Sequence, residues 1–151
     1  VRPGGFAANA LLWADDIRRD GVVSEPFGQA SKAVIHERDI AGVAVQALTA
    51  AGHAGRTYVV TGPEPVTTAD QVRIIGEVID RPVGFNELTP QDVRDHMVSQ
   101  GYSADEADSM VGAYVAMSEK DGEVTETVEE VTGTPARTFR QWVADHAADF
   151  D

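Results

Sequence analysis

Histidine, tyrosine, serine and the carboxylates are the side chains of this 151-residue sequence that could do chemistry, and their spacing removes most of what they could do. The histidines, His36, His53, His96 and His146, lie far apart. None has a second histidine three or four residues away, the spacing that sets two imidazoles on one helical face around a metal, so no metal site is expected. Cysteine is absent, which excludes disulfides, thiolate nucleophiles and sulfur-ligated metals. A tyrosine can serve as an acid when a lysine one helical turn on lowers its pKa, but Tyr58, Tyr102 and Tyr114 are followed at that distance by Gly62, Glu106 and Ser118. No Gly-x-Ser-x-Gly elbow exposes a serine. With 25 acidic residues, chance pairs are unavoidable, and Asp39 or Glu64 is expected to cap or to be solvated rather than to move protons. Gly4-Gly5, Gly52 and Gly55 form no Gly-rich loop of the kind that cradles a pyrophosphate, so dinucleotide binding by this chain alone is not expected.

The whole-chain balance narrows the partners. A net charge of −13 and a pI near 4.5 repel phosphate backbones and anionic lipid, so neither nucleic acid nor membrane is an expected partner. The same acidity serves solubility. An apolar share of 42% over this length supports one core and hence a single α/β domain spanning 1–151. No apolar run reaches membrane-spanning length and the start lacks a secretory pattern, which points to a cytoplasmic protein.

Elements that could position a site follow from periodicity. Phe6, Ala10, Trp13 and Ile17 make the stripe of a first helix, stopped at Asp20-Gly21. Val22 to Gly28 reads as a short extended or turn segment, and Ala33 to His36 as a brief apolar run. Asp39 stands where an N-cap belongs for a helix through Leu48 that ends near Gly52. Thr57 to Thr61 reads as a buried strand. Thr68 with Gln71 opens a helix through Ile79, and Val83 to Glu87 is a second strand. This alternation is that of a layered α/β arrangement. From Thr89 the pattern turns helical: Thr89-Pro90 starts one helix, and Ser103 to Glu106 caps another with Met110, Val111 and Tyr114 inward. Val124, Val128 and Val131 mark a third, and Thr138 with Gln141 caps a last one bearing Phe139, Trp142, Val143, His146 and Phe150 on one face.

Four strings, in this order, carry a likeness: Arg2-Pro3-Gly4-Gly5-Phe6-Ala-Ala-Asn9, Ile35-His-Glu-Arg-Asp39-Ile-Ala, Tyr58-Val-Val-Thr-Gly62-Pro-Glu64 and Val131-Thr-Gly-Thr-Pro-Ala-Arg137-Thr-Phe139. Together they resemble the C-terminal part of NmrA-like proteins, atypical relatives of the short-chain dehydrogenases. The resemblance implies the later part of a Rossmann-type parallel sheet over 1–88 and a mainly helical substrate part over 89–151. It implies a chain that starts just after a late parallel strand, with Thr57 to Thr61 as the last strand and Asp39 capping the helix packed on the sheet. It further implies an NAD(P)-dependent oxidoreductase acting on a small carbonyl, quinone or sugar-like molecule, with Pro3, Gly4, Gly5 and Phe6 bordering cofactor, and Phe6, Asn9 and Trp13 reaching substrate. For Trp13, helical periodicity favours a core role instead. The resemblance leaves the catalytic residues unassigned, and the chain alone, without the cofactor loop, is expected to bind no NAD(P) and to be inactive. Two alternatives remain: a non-catalytic NAD(P)- or ligand-binding regulatory module, and a truncated protein that forms a homodimer to cover its open sheet edge.

Overall fold

A computed structural model describes residues 1–118 and 122–151; residues 119–121, within the expected helical part, lie outside the described residues. Short strands are Arg2–Pro3 (β1), Val22–Pro26 (β2), Ser31–Lys32 (β3), Val59–Val60 (β4), Val66–Thr67 (β5) and Gly84–Leu88 (β6). Helices are Ala14–Asp20 (α1), Glu37–Thr49 (α2), Thr68–Val78 (α3), Pro90–Ser99 (α4), Ala104–Ser118 (α5), Thr127–Thr132 (α6) and Phe139–Asp145 (α7).

Strand pairing is mainly parallel. β1 pairs with β4, β2 with β6 over five residues, and Phe6 forms a parallel bridge to Ile35, whereas β3 and β5 run antiparallel. The segment that starts the chain is thus flanked on both sides. Arg2 and Gly4 donate backbone N–H groups to the Tyr58 and Val60 carbonyls, Ala7 donates to the Ile35 carbonyl, and Ile35 donates to the Gly5 carbonyl. Arg2–Pro3 is itself a strand, which corrects the expectation that the chain starts just beyond one.

Val34 and Ile35 show why both faces of this sheet need covering. Consecutive strand residues point to opposite faces. Val34 belongs to a core with Ile17, Val23, Ile75, Phe139, Trp142 and Phe150, while Ile35 belongs to a second with Val43, Val60 and Val128. Helices α1, α3 and α7 therefore close one face and α2 and α6 the other, the doubly covered arrangement a parallel sheet requires. The α/β class is as expected.

Local chemistry corrects several boundaries. The first helix is 3-10 over Ala7–Trp13 and α only from Ala14, ending where Gly21 takes φ 66°, a left-handed value that glycine adopts freely. Asp39 is not the cap of α2. The ring of His36 accepts the Arg38 N–H instead, and Asp39, two residues into the first turn beyond Glu37, is 3% exposed and accepts from the Arg137 backbone at 2.7 Å and from its guanidinium. α3 is capped one residue earlier than expected, by Thr67 with Asp70. α6 begins beyond Val124, which is 44% exposed. The extended run at β4 is shorter than Thr57 to Thr61 and only half buried, Val60 inward and Val59 outward. The helix expected to start at Thr89-Pro90 does so, through a Thr89–Asp92 capping box, and the expected Thr138–Gln141 and Ser103–Glu106 pairs form.

Candidate functional site

β2 and β6 end together at Pro26 and Leu88, and a cleft of about 380 Å³ opens just beyond them. In sheets of parallel strands, ligands bind outside the carboxyl ends. Its walls come from the strand ends (Glu25, Pro26, Phe27, Leu88), from β3 (Lys32), from α4 (Val93, His96) and from α5 (Tyr114, Ser118). The helices hold this wall because α4 and α5 pack on each other, Met97 and Ala107 are buried, and Arg94 donates to Asp108 at 2.6 Å.

The turn that leaves β2 is tightly determined. Phe27 has φ 57°, a left-handed value that is an outlier for a bulky residue and costs on the order of 1 kcal/mol or more. Gly28 follows, and a Cβ there would meet the Phe85 ring at 2.6 Å. The Gly28 N–H also donates to Glu87 at 3.2 Å. Strain of this kind persists only where the surroundings hold it, and here it turns Phe27 into the cleft wall.

The sequence-derived candidates fall into two groups. Pro3, Gly4, Gly5 and Phe6 lie in the segment clasped between Tyr58–Thr61 and Val34–Ile35. Neither Gly4 nor Gly5 has positive φ, and a Cβ on either would make only ordinary contacts, at 3.5 Å to Thr61 and to Val34. The packing of the chain on itself therefore does not demand glycine there. A Cβ on Gly5 would also touch Lys32, at 3.8 Å from its Cδ, so this strip borders a side chain of the cleft. Phe6 is 45% exposed and Asn9 is exposed; neither lines the cleft.

Trp13 is half-buried, packs at the margin of the first core, and donates its indole N–H to Glu25 Oε1 at 2.8 Å. It thus combines the core role expected from periodicity with a contact to the cleft wall. Tyr114, expected inward, is 44% exposed and lines the cleft. Sequence reasoning missed Glu25, Phe27, Lys32, Leu88 and His96. The signal that could have found two of them is Glu25-Pro-Phe-Gly28, a carboxylate and turn residues at a strand's carboxyl end.

A second titratable cluster joins α2 to the last helix. Glu37 accepts from Trp142 Nε1 at 2.9 Å and meets His146 Nε2 at 2.9 Å, while His146 Nδ1 meets Asp149 at 3.1 Å. Burial alone would lower the His146 pKa, but its hydrogen bonds to Glu37 and Asp149 outweigh burial and hold it above its ordinary value. Burial likewise pushes Glu37 up, and the hydrogen bond to His146, with a backbone N–H bond, the neighbouring His36 and the Trp142 indole, brings it below. Buried His36 accepts from Arg38 and meets Asp145 at 3.3 Å. Every member of this cluster is paired, which makes it a clamp between helices. Asp39 is similarly spent on Arg137 and Glu64 is exposed. Among the described residues no cluster of three or more His, Asp or Glu could hold a metal, and no helix is long and apolar enough to cross a membrane.

No protein-family model matches the chain. It is 41% identical over 153 aligned positions to a (4-alkanoyl-5-oxo-2,5-dihydrofuran-3-yl)methyl phosphate reductase of Streptomyces griseus, and 39% identical over 152 to an NAD(P)H azoreductase of Xenophilus azovorans. Each match covers 99% of this chain but 53% of the relative, so the chain spans about half the length of the curated relatives it matches. Among solved structures, an Escherichia coli NADPH-dependent quinone oxidoreductase complexed with NADPH matches at TM-score 0.75 and 23% identity, over 96% of this chain and 52% of that one. Citrobacter triphenylmethane reductase complexed with NADP(H) matches at TM-score 0.71 and 17% identity, over 97% and 51%. The structural likenesses establish the fold, a chain that carries about half the length of a Rossmann-type α/β fold, and its sequence is similar to those of reductases.

Proposed function

We propose that this chain is the substrate-binding, C-terminal part of an NAD(P)H-dependent oxidoreductase of the NmrA-like kind. The observation that carries the reading is the cleft at the carboxyl ends of the parallel pair β2·β6, one of whose lining side chains, Lys32, also borders the Gly4-Gly5 strip. The cofactor, when bound, supplies a hydride. The residues here suit its nicotinamide end alone: Pro3 to Phe6 offer a strip whose glycines leave a flat ring room to approach, whereas no Gly-rich turn is present to hold a pyrophosphate. Lys32 then stands at the junction, where an ammonium favours negative charge growing on an acceptor oxygen or nitrogen. Phe6, Asn9 and Trp13 frame the approach from the first helix, Trp13 acting through Glu25. The substrate class is a small conjugated acceptor such as a quinone, carbonyl or azo compound, the last by analogy with the Xenophilus relative.

A second copy of the chain is a further proposed partner, with the exposed Leu12 and Leu48 as candidate contacts, and size-exclusion chromatography of the wild type and of Leu48→Glu tests that association. To test the main reading, the cofactor-binding half of the Streptomyces relative is joined to this chain and the chimera is assayed for NADPH oxidation with quinone and azo acceptors. Acceptor-dependent NADPH consumption that falls at least about tenfold in Lys32→Met is the expected result. A folded chimera that binds NADPH and turns over no acceptor overturns the reading.

A further inference from the structure

Glu25 occupies a strand position whose alternation asks for an apolar side chain. Val23, two residues earlier on the same face, is 1% exposed, and its register partner Phe85 packs against the first core. At the strand's end the face continues instead with a half-buried carboxylate in the wall of the cleft. One oxygen is committed, since Oε1 accepts the Trp13 indole N–H at 2.8 Å. An ionised carboxylate has no donor and about four acceptor sites on its two oxygens, so most of its hydrogen-bonding capacity remains. The indole fixes the side chain before any ligand arrives, which removes the entropy of ordering it from the cost of binding.

Around this carboxylate, Pro26, Phe27, Leu88 and Val93 supply apolar walls, and the cleft's 380 Å³ is at the small end of ligand sites. Resting on the cleft assignment above, we propose that Glu25 selects flat aromatic or conjugated molecules carrying a hydroxyl or N–H donor, with Trp13 as the positioning residue that aims it. A hydroxyl donating to a partly desolvated carboxylate gains more than one donating to a neutral acceptor. An ether of the same shape brings only lone pairs toward a negative group and loses that bond.

The experiment is calorimetric titration of the 151-residue chain, without cofactor, with naphthol and with its methyl ether. Naphthol is expected to bind about tenfold more tightly than the ether. Glu25→Gln keeps an oxygen for Trp13 but removes the charge, and it should cut the preference to about threefold or less. Trp13→Phe keeps the aromatic packing and removes the indole donor; it should weaken naphthol and leave the ether unchanged, a selectivity that a merely structural loss would not produce. Equal affinity for the two ligands, or a preference unmoved by either variant, overturns the role of Glu25 while leaving the cleft as a binding site. Binding of neither ligand overturns the inference together with the cleft assignment, and the chimera assay then judges the reductase reading separately.

Discussion

Substituting Asp39 by alanine should destabilise the fold by about 3 kcal/mol, and the parts of that figure can be separated. Asp39 Oδ2 accepts the Arg137 backbone N–H at 2.7 Å, and removing it strands a half-buried donor, at about 1–3 kcal/mol. Its Oδ1 pairs with the Arg137 guanidinium, but that side chain is 37% exposed, so solvent reduces the ion pair to about 1 kcal/mol or less. An acid in the first turn of α2 adds about 0.5 kcal/mol through the helix dipole. Arg137→Ala removes only the second of these and should cost about 1 kcal/mol. The double variant should therefore resemble Asp39→Ala alone. Urea unfolding followed by circular dichroism measures all three, and a loss of about 3 kcal/mol corresponds to a fall of roughly 6–12 °C in melting temperature for a chain of this size. Should Arg137→Ala prove as damaging as Asp39→Ala, the backbone bond is not what holds α2 to the segment before α7, and the reasoning fails.

Other outcomes follow from the same contacts. His146 is held above its ordinary value of 6.5, so its contribution is fully present below that pH and is lost as pH rises through the folded value. Glu37 is held below 4.5, so its contribution is present above that pH and is lost as pH falls through the folded value. Melting temperatures of the wild type and His146→Gln should accordingly converge between about pH 5 and about pH 8, and a constant gap would refute the clamp. Trp142 is fully buried and stacked on Phe139 at 5.6 Å and on His146 at 4.5 Å; Trp142→Ala should cost about 3–5 kcal/mol, and Trp142→Phe, which loses chiefly the bond to Glu37, about 1–2 kcal/mol, both read from denaturant midpoints. Gly62→Ala would place a Cβ 2.2 Å from the Val34 carbonyl oxygen, so expression of a soluble, cooperatively melting variant with unchanged stability would contradict the close approach of these two segments.

What was legible in the sequence was local. The boxes at Thr89, Ser103 and Thr138 form because cap and partner sit three residues apart, and no distant contact competes for them. Asp39 had the same local credentials. It was claimed by Arg137, 98 residues on, and the vacancy at the helix start was filled by a histidine nitrogen, an acceptor that capping preferences rank low. Thr67 and Thr68 are adjacent threonines followed by adjacent polar residues, so the pattern fixes the helix but not which threonine caps it. Phe139, Trp142, Val143 and Phe150 were readable as core because their stripe has no second role. Tyr114 sits on an equally apolar stripe, but one edge of its helix faces a cleft created by pairing β2 with a strand about 60 residues later. Lys32 was invisible for the same reason, and Glu25 was marked only by the turn residues that follow it.

The distribution of positive charge adds a last argument about which part of a cofactor this chain suits. It carries 12 Lys and Arg against 25 acids. Among the described residues, Arg18, Arg19, Arg38, Arg73, Arg94, Arg137 and Arg140 are each bound to a carboxylate, and Arg56 and Arg81 donate to main-chain carbonyls. The remaining described cations, Arg2 and Lys32, sit beside the Gly4-Gly5 strip: one two residues before it in the same segment, the other against Gly5. A surface this acidic works against a pyrophosphate, and guanidinium groups already paired contribute little to neutralising one. Among the described residues, the cations bound to neither a carboxylate nor a carbonyl are the two beside the Gly4-Gly5 strip, which the proposal above assigns to the nicotinamide end. In the proposed enzyme, phosphate recognition would fall to residues outside this chain, and Arg2 and Lys32 would serve the end of the cofactor where charge moves.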